Sequence, residues 1–484
     1  MDMDKKRVTL EEIFSPRGVA VVGASEVSLE GKVSFGGLVA LGLVMAGFPA
    51  VYPVNPKFEK LLDLPCYPDL LSIPGPVDHV VVTIPAEGSL DLLDQCAAKG
   101  VRSVHFFTAG FGESGEEDRA DLERAMLERA RSGNFRIIGP NCVGLYVPKS
   151  RVVNAPNAPL EPGPIAFVSQ SGGHAQNLPP FGASRGLRYS KVVSYGNALD
   201  VDECELLDYL TEDPETEIIA AYIEGVRDGR RFIDSLARAA RRKPVIVYKG
   251  GKTEAGKRAA FGHTASMTSS VAVFDAACRQ VNAIQVDNTD EMIDVLAALR
   301  FMRGIPAGPN AAVVGGGGGP SVLASDDMEI EGLRVPRLSS AVQEELRSRL
   351  PLAGSIFTNP VDTNNMVVPD VISFTMRTVG RSPDIDMIVY HMGFHPIGSW
   401  GLGRFSTPAF LESAVEAILG AQEEIGKPVL MVLRPPQDLE GMKEYLAVQE
   451  ALVQAGLPVF LSLRDMARAV RRIIAWKGRT RTRG

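Results

Sequence analysis

Paired cysteines are missing from this sequence. Cys66, Cys96, Cys142, Cys204 and Cys278 are widely spaced and form no C-x-x-C motif, which argues against a structural zinc site and a disulfide framework. A reducing cytoplasm suits such thiols, and no residue is read as a metal ligand. A basic excess is missing too. The formal charge of −7 offers no positive field to a phosphate backbone, so nucleic acid is not expected as the main partner. The one basic cluster, Lys477 to Arg483, reads as a frayed, solvated terminus. Long hydrophobic runs are also lacking. The longest, around Leu38 to Val51, is shorter than the ~20 residues that span a bilayer and is broken by Gly42, Gly47 and Pro49. It reads as a buried amphipathic helix running into a strand, with no membrane partner. The start of the chain mixes charges of both signs and has no apolar signal-peptide core, and no short repeat period emerges.

What is present is ordinary globular material: 484 residues, 45% hydrophobic and 23% charged, enough for about three domains at ~100 to 200 residues each. Short apolar runs at Gly18–Val22, Ala50–Val54, His79–Ile84, Ser103–Phe107 and Phe135–Ile138 are separated by helix-length stretches, which is the pattern of βαβ units and a parallel sheet. A second series follows at Ile165–Ser169, Tyr189–Ser194, Ile218–Ile223 and Pro244–Tyr248, closed by one helix from about Ser270 to Leu299. Beyond a Gly- and Pro-rich linker at Gly304–Asn310, a third series runs through Ala311–Val314, Met387–Tyr390, Pro428–Val432 and Pro458–Leu461. The expected organisation is α/β throughout, with segments 1–150, 151–307 and 308–484.

Ligands of open α/β sheets bind beyond the carboxyl ends of the strands, where this chain places Ser25, Asn55, Pro85, Thr108 and Asn141. Gly23-Ala24-Ser25 is a glycine turn that lets N–H groups approach an anionic phosphate, although it lacks a full G-x-G-x-x-G. The second strand ends without an acidic residue to grip a ribose hydroxyl. Its Asn55 and Lys57 suit a phosphorylated ribose better, with Lys57 equally readable as a surface lysine and Lys32 carrying the same two readings. Ser169-Gln170-Ser171-Gly172-Gly173 is either a second phosphate seat at a helix end or a tight turn. His263 lies in a Gly- and hydroxyl-rich loop, Phe261 to Ser270, where it is either a cap or surface residue or a nucleophile toward phosphorus. Glu224, closing the strand Ile218–Ile223, would then fix its ring and balance its charge. The run Gly315–Gly319 either cradles another anion or lets two domains approach closely. His79 and His105 read as strand residues. His391 and His395 flank a Gly- and aromatic-rich loop, and His174 stands beside the proposed phosphate seat.

Taken together these blocks resemble the α subunit of the ADP-forming acetyl-CoA synthetases, the NDP-forming acyl-CoA synthetases related to succinyl-CoA synthetase. The resemblance covers nearly the whole chain and rests on Val21–Ser25, Tyr52–Lys57, Thr108–Phe111, Ile138–Cys142, Phe167–Gly172, Gly196-Asn197 with Asp200–Asp202, Tyr222–Gly225, Gly262–Thr264 and Asn359–Asp362. It implies an N-terminal Rossmann-like CoA-binding domain followed by two flavodoxin-like succinyl-CoA ligase domains. It implies His263 as the phosphohistidine, Glu224 as its stabilising carboxylate, and Ser171, Gly172 and Gly173 as the phosphate-holding helix end. Gly23, Ala24, Ser25, Lys32, Asn55, Lys57, Pro85, Thr108 and Asn141 are the candidate contacts to coenzyme A. The family's ATP-grasp nucleotide domain has no counterpart here. A separate β subunit carrying Mg²⁺ with ADP or ATP, a hetero-oligomer and a carboxylic acid, acyl-CoA and phosphate as reactants are therefore implied. This chain departs from the family at Ala265–Val271 and at Gly173-His174-Ala175-Gln176. The alternative is a non-catalytic, regulatory CoA-binding protein on the same scaffold; a nicotinamide-dependent oxidoreductase is disfavoured by the missing acidic residue.

Overall fold

The computed structural model describes residues 7–26, 34–156, 158–258, 270–316, 318–363, 368–393, 408–436 and 438–481. The chain forms two compact units, one of Met1–Ala183 with Arg188–Thr289 and the other of Ser184–Leu187 with Asp290–Gly484.

The first unit holds two sheets. In the first, five parallel strands lie in the spatial order Val51–Val54, Val19–Val22, His79–Val82, Ser103–Phe106, Arg136–Ile138. Both faces are buried, which is why the strands are continuous apolar runs. Val19, Val21 and Val81 enter one core, while Ala20, Val22, Val80 and Val82 enter another with Leu92, Leu93, Met126 and Ala130 from the helices Ser89–Lys99 and Glu117–Gly133. The chain order reverses between the first and third strands, so a crevice opens there at their carboxyl ends.

The second sheet runs Ile284–Val286, Val245–Lys249, Ile218–Ile223, Pro162–Ser169, Tyr189–Ser194, with Gly144–Tyr146 added antiparallel at one edge. That edge strand precedes the expected boundary at 150, yet it belongs to the second sheet. One hydrophobic core joins the inner face of the first sheet to the second through Leu145, Val147, Val152, Ala166 and Val168. The single helix expected over 270–299 is two helices, Val271–Val281 and Thr289–Phe301, around the strand Ile284–Val286. Asn282 adopts φ 65° and its neighbour Ala283 returns an N–H to the Cys278 carbonyl, a left-handed cap that ends the first helix.

The second unit repeats the doubly wound pattern in five parallel strands: Val361–Asp362, Ala311–Gly315, Met387–Gly393, Val429–Arg434, Val459–Phe460. Asn359 anchors its edge. The side chain accepts from Val313 N–H at 2.9 Å and donates to the carbonyls of Ala311 and Pro336 at 2.9 and 2.8 Å. The basic cluster expected to fray is instead helical up to Arg481, as part of the helix Leu463–Arg481. Met466, Val470 and Ile473 recur on one buried face of that helix, so apolar periodicity holds the segment.

Candidate active site

At the first sheet hydrogen bonds stitch the carboxyl ends of neighbouring strands to one another. Gly23 turns with φ 89°; a Cβ there would lie 2.6 Å from Thr83 Oγ1, so only glycine fits. Thr83 Oγ1 donates to the Val22 carbonyl at 2.9 Å and Thr108 Oγ1 to the Ile84 carbonyl at 2.6 Å. Asn55 donates from Nδ2 to the Ala24 carbonyl at 2.8 Å and accepts from Lys57 N–H at 3.0 Å. This amide therefore locks the first two strand tips in register. Asn141 N–H reaches the Thr108 carbonyl at 3.0 Å. Ser25, Pro85 and the exposed Lys57 rim the crevice. The helix Phe35–Met45 begins beside it, with Ser34 capping Gly37 N–H at 3.1 Å, so a helix dipole is presented there. Lys32 lies outside the described residues.

At the second sheet the switch point falls between Pro162–Ser169 and Ile218–Ile223. Ser169 Oγ accepts from Ser171 N–H at 3.1 Å, and Ser171 Oγ accepts from His174 N–H at 3.4 Å, which caps the helix Gly172–Ala183. The seat read at Ser171, Gly172 and Gly173 is thus a capped helix end with Gly173 exposed. Glu224 is 8% exposed and follows the neighbouring strand. Register puts Tyr222 beside Ser169 and Tyr248, and Tyr222 and Glu224, two residues apart, share one face. Burial and the nearby Glu224 carboxylate raise the pKa of the Tyr222 hydroxyl. His174 packs on the same rings, 4.2 Å from Tyr222 and 5.7 Å from Tyr248 between centroids, with Nδ1 3.3 Å from Thr289 Oγ1. Burial pulls its pKa below the ordinary histidine value.

Two residues at this site have no role assigned by sequence. Gln170, 6% exposed, accepts from the N–H groups of Glu224 and, at 2.9 Å, Gly225. Lys249, 2% exposed, donates to the carbonyls of Glu224, at 2.6 Å, and Gly250; burial lowers its pKa. A lysine closing an otherwise apolar strand was the available signal. His263 lies outside the described residues, as does His395.

At the third sheet, Gly315 pairs with Asp362 and His391 across the switch point, and the helix Gly318–Ile330 starts there. A Cβ on Gly315 would lie 2.2 Å from His391 Nε2. Ser321 Oγ, Thr363 Oγ1 and His391 Nε2 are buried without a hydrogen-bond partner among the described residues. His79 and His105 take no part in any of these edges, being buried strand residues as expected. Among the described residues no cluster of His, Cys, Asp and Glu is able to hold a metal ion, and no helix is long and apolar enough to cross a membrane.

These doubly wound sheets, each opening at a switch point, define an α/β protein of the ligand-binding type. A CoA binding domain family matches residues 17–148 and a succinyl-CoA ligase like flavodoxin domain family matches residues 162–299. The chain is 34% identical to the alpha subunit of ADP-forming acetate–CoA ligase II of Pyrococcus furiosus, over 95% of this chain and 96% of that one. It is 36% identical to the ADP-forming acetate–CoA ligase I of Archaeoglobus fulgidus over 78% of this chain but only 54% of that protein, and so spans about half of the latter. The acetyl-coenzyme A synthetase 1 of Ca. Korarchaeum cryptofilum, solved with phosphate and ADP, superposes with a TM-score of 0.78 at 29% identity, covering 98% of this chain and 97% of that one. The chain belongs to the family of the ADP-forming acetate–CoA ligase alpha subunits.

Proposed function

We propose that this chain is the CoA-binding, phosphohistidine-carrying subunit of an NDP-forming acyl-CoA synthetase, which interconverts acyl-CoA, ADP and phosphate with carboxylic acid, ATP and CoA. The observation that carries the reading is the second switch point, where a capped helix end and a carboxylate stand on adjacent strands. Segments 1–150, 151–307 and 308–484 serve as the CoA-binding domain and the two ligase domains.

The first crevice fits a phosphorylated nucleotide. Gly23 leaves no room for a side chain, a capped helix starts beside it, and an amide and a lysine replace the acidic residue that a nicotinamide site requires. Gly23, Ala24, Ser25, Lys32, Asn55, Lys57, Pro85, Thr108 and Asn141 would hold coenzyme A there, and its thiol supplies the thioester that carries the acyl group. Ser171, Gly172 and Gly173 hold phosphate beside that acyl group through helix-end N–H donors. That phosphate attacks the thioester carbonyl, forming an acyl phosphate as the CoA thiol leaves; His263 then takes the phosphoryl group as the carboxylate leaves, and Glu224 balances the charge on its ring. The glycine run at Gly315, with buried Thr363 and His391 beside it, is a second anion seat of the same kind. The phosphoryl group then passes to ADP with Mg²⁺ on an ATP-grasp β subunit in a cytoplasmic hetero-oligomer. The Pyrococcus furiosus relative carries the name of an alpha subunit, which supports a separate partner chain.

The test is to combine the chain with its β partner, magnesium and radiolabelled ATP, and to follow acid-labile, base-stable label. Label on the native chain that is absent from His263→Ala supports the relay. No label on a native chain that still binds CoA leaves the non-catalytic alternative.

A further inference from the structure

Gln170 touches both halves of the second switch point. Its C-terminal neighbour, Ser171, caps the helix that forms the phosphate seat. Its own N–H donates to the Tyr222 carbonyl at 3.2 Å, and its side-chain oxygen takes the N–H groups of both Glu224 and Gly225. The rest of Glu224 is anchored as well. Lys249 donates to its carbonyl, and Tyr248 packs on the Tyr222 ring at 5.0 Å. Gly250 keeps the space open: a Cβ there would lie 2.4 Å from the Tyr222 hydroxyl and 3.2 Å from Glu224 Cγ.

We propose that Gln170 is a positioning residue that sets the spacing between the phosphate seat and the Glu224 carboxylate. This rests on the reading of Glu224 as the group that steadies a phosphorylated imidazole. One oxygen accepting from two consecutive N–H groups leaves the Glu224 turn no independent movement, because any shift relative to the seat breaks both bonds. Lys249 closes the turn from the opposite side. Phosphoryl transfer depends on placement and preorganised charge more than on covalent assistance, so a loosened Glu224 is a loss in rate, with CoA binding at the first crevice untouched.

The experiment follows label formation in the assembled enzyme with magnesium and radiolabelled ATP, for native chain, Gln170→Ala and Gln170→Glu, from pH 6 to 9. Gln170→Ala is expected to slow labelling by about 100-fold, the cost of a misplacement on the order of 1 Å, at unchanged CoA affinity. Gln170→Glu keeps the acceptor oxygen and the shape. It is expected to recover most of the rate at alkaline pH and to lose it on acidification at a higher pH than the native chain, because two neighbouring carboxylates resist ionising together. If Gln170→Ala fails to fold, Gln170→Glu decides alone. Native-rate labelling of Gln170→Ala, or a native pH profile for Gln170→Glu, overturns the proposal while leaving the relay intact. A native chain that takes no label overturns the relay and this proposal together.

Discussion

His79 and His105 lie fully buried on adjacent strands, their rings 6.3 Å apart. His79 Nδ1 sits 2.7 Å from Ser103 Oγ and His105 Nε2 2.9 Å from the Cys142 carbonyl. Burial, with His105 adding repulsion, pushes His79 down to about 3, and burial pushes His105 down to about 4, from an ordinary 6.5. Above pH 6.5 both are neutral in folded and unfolded chains and pH has no leverage through them. Between 6.5 and about 4 the unfolded chain binds both protons and the folded chain neither, so stability falls with pH by roughly 2–3 kcal/mol per unit. Urea midpoints at pH 7 and pH 5 measure this. His105→Gln, which keeps a partner for the Cys142 carbonyl but does not titrate, is expected to remove about half of the pair's contribution; an unchanged pH difference contradicts it.

At the scale of elements, Asn359 substitutes for a strand neighbour by meeting three backbone groups. Asn359→Asp preserves shape and acceptor but turns two donated hydrogen bonds into contacts between oxygens. It is expected to cost about 2–4 kcal/mol, read from the denaturation midpoint of the unit that contains it. Elements of this sort mark the limit of what the sequence discloses. Long apolar strands such as Ile218–Ile223 are legible because burial on both faces leaves an uninterrupted run. Gly144–Tyr146, Ile284–Val286 and Val361–Asp362 escape notice because Gly144, Gln285 and Pro360 interrupt runs that are already short. Apolar residues on both sides of Asn282 imitate one continuous helix until that residue turns left-handed. The site divides in the same way. Ser171–Gly173 and Glu224 are announced by strand-to-helix punctuation, whereas the grip of Gln170 and Lys249 on Glu224 spans 54 and 25 residues and leaves no local pattern.

For the molecule as a whole, Arg136 shows why the N-terminal segment is not self-sufficient. It is 1% exposed and donates to Asp200 at 2.8 Å and to Glu205 at 2.8 and 2.7 Å. These carboxylates raise its pKa against the opposing effect of burial. Both partners lie beyond residue 150, on the far side of the core that joins the two sheets. Expressed alone, residues 1–150 would lose both counter-charges and expose Ile138, Leu145 and Val147, which share one apolar core with the second sheet. Thermal melts are expected to show the fragment far less stable than the first unit of the whole chain; equal midpoints would refute this.

The five widely spaced thiols have a practical corollary. All five cysteines fall within Met1–Thr289 and are buried, whereas Trp476, the tryptophan among the described residues, falls within Asp290–Gly484. Alkylation kinetics therefore clock the opening of one unit and indole emission that of the other, so a single unlabelled sample already carries two independent reporters.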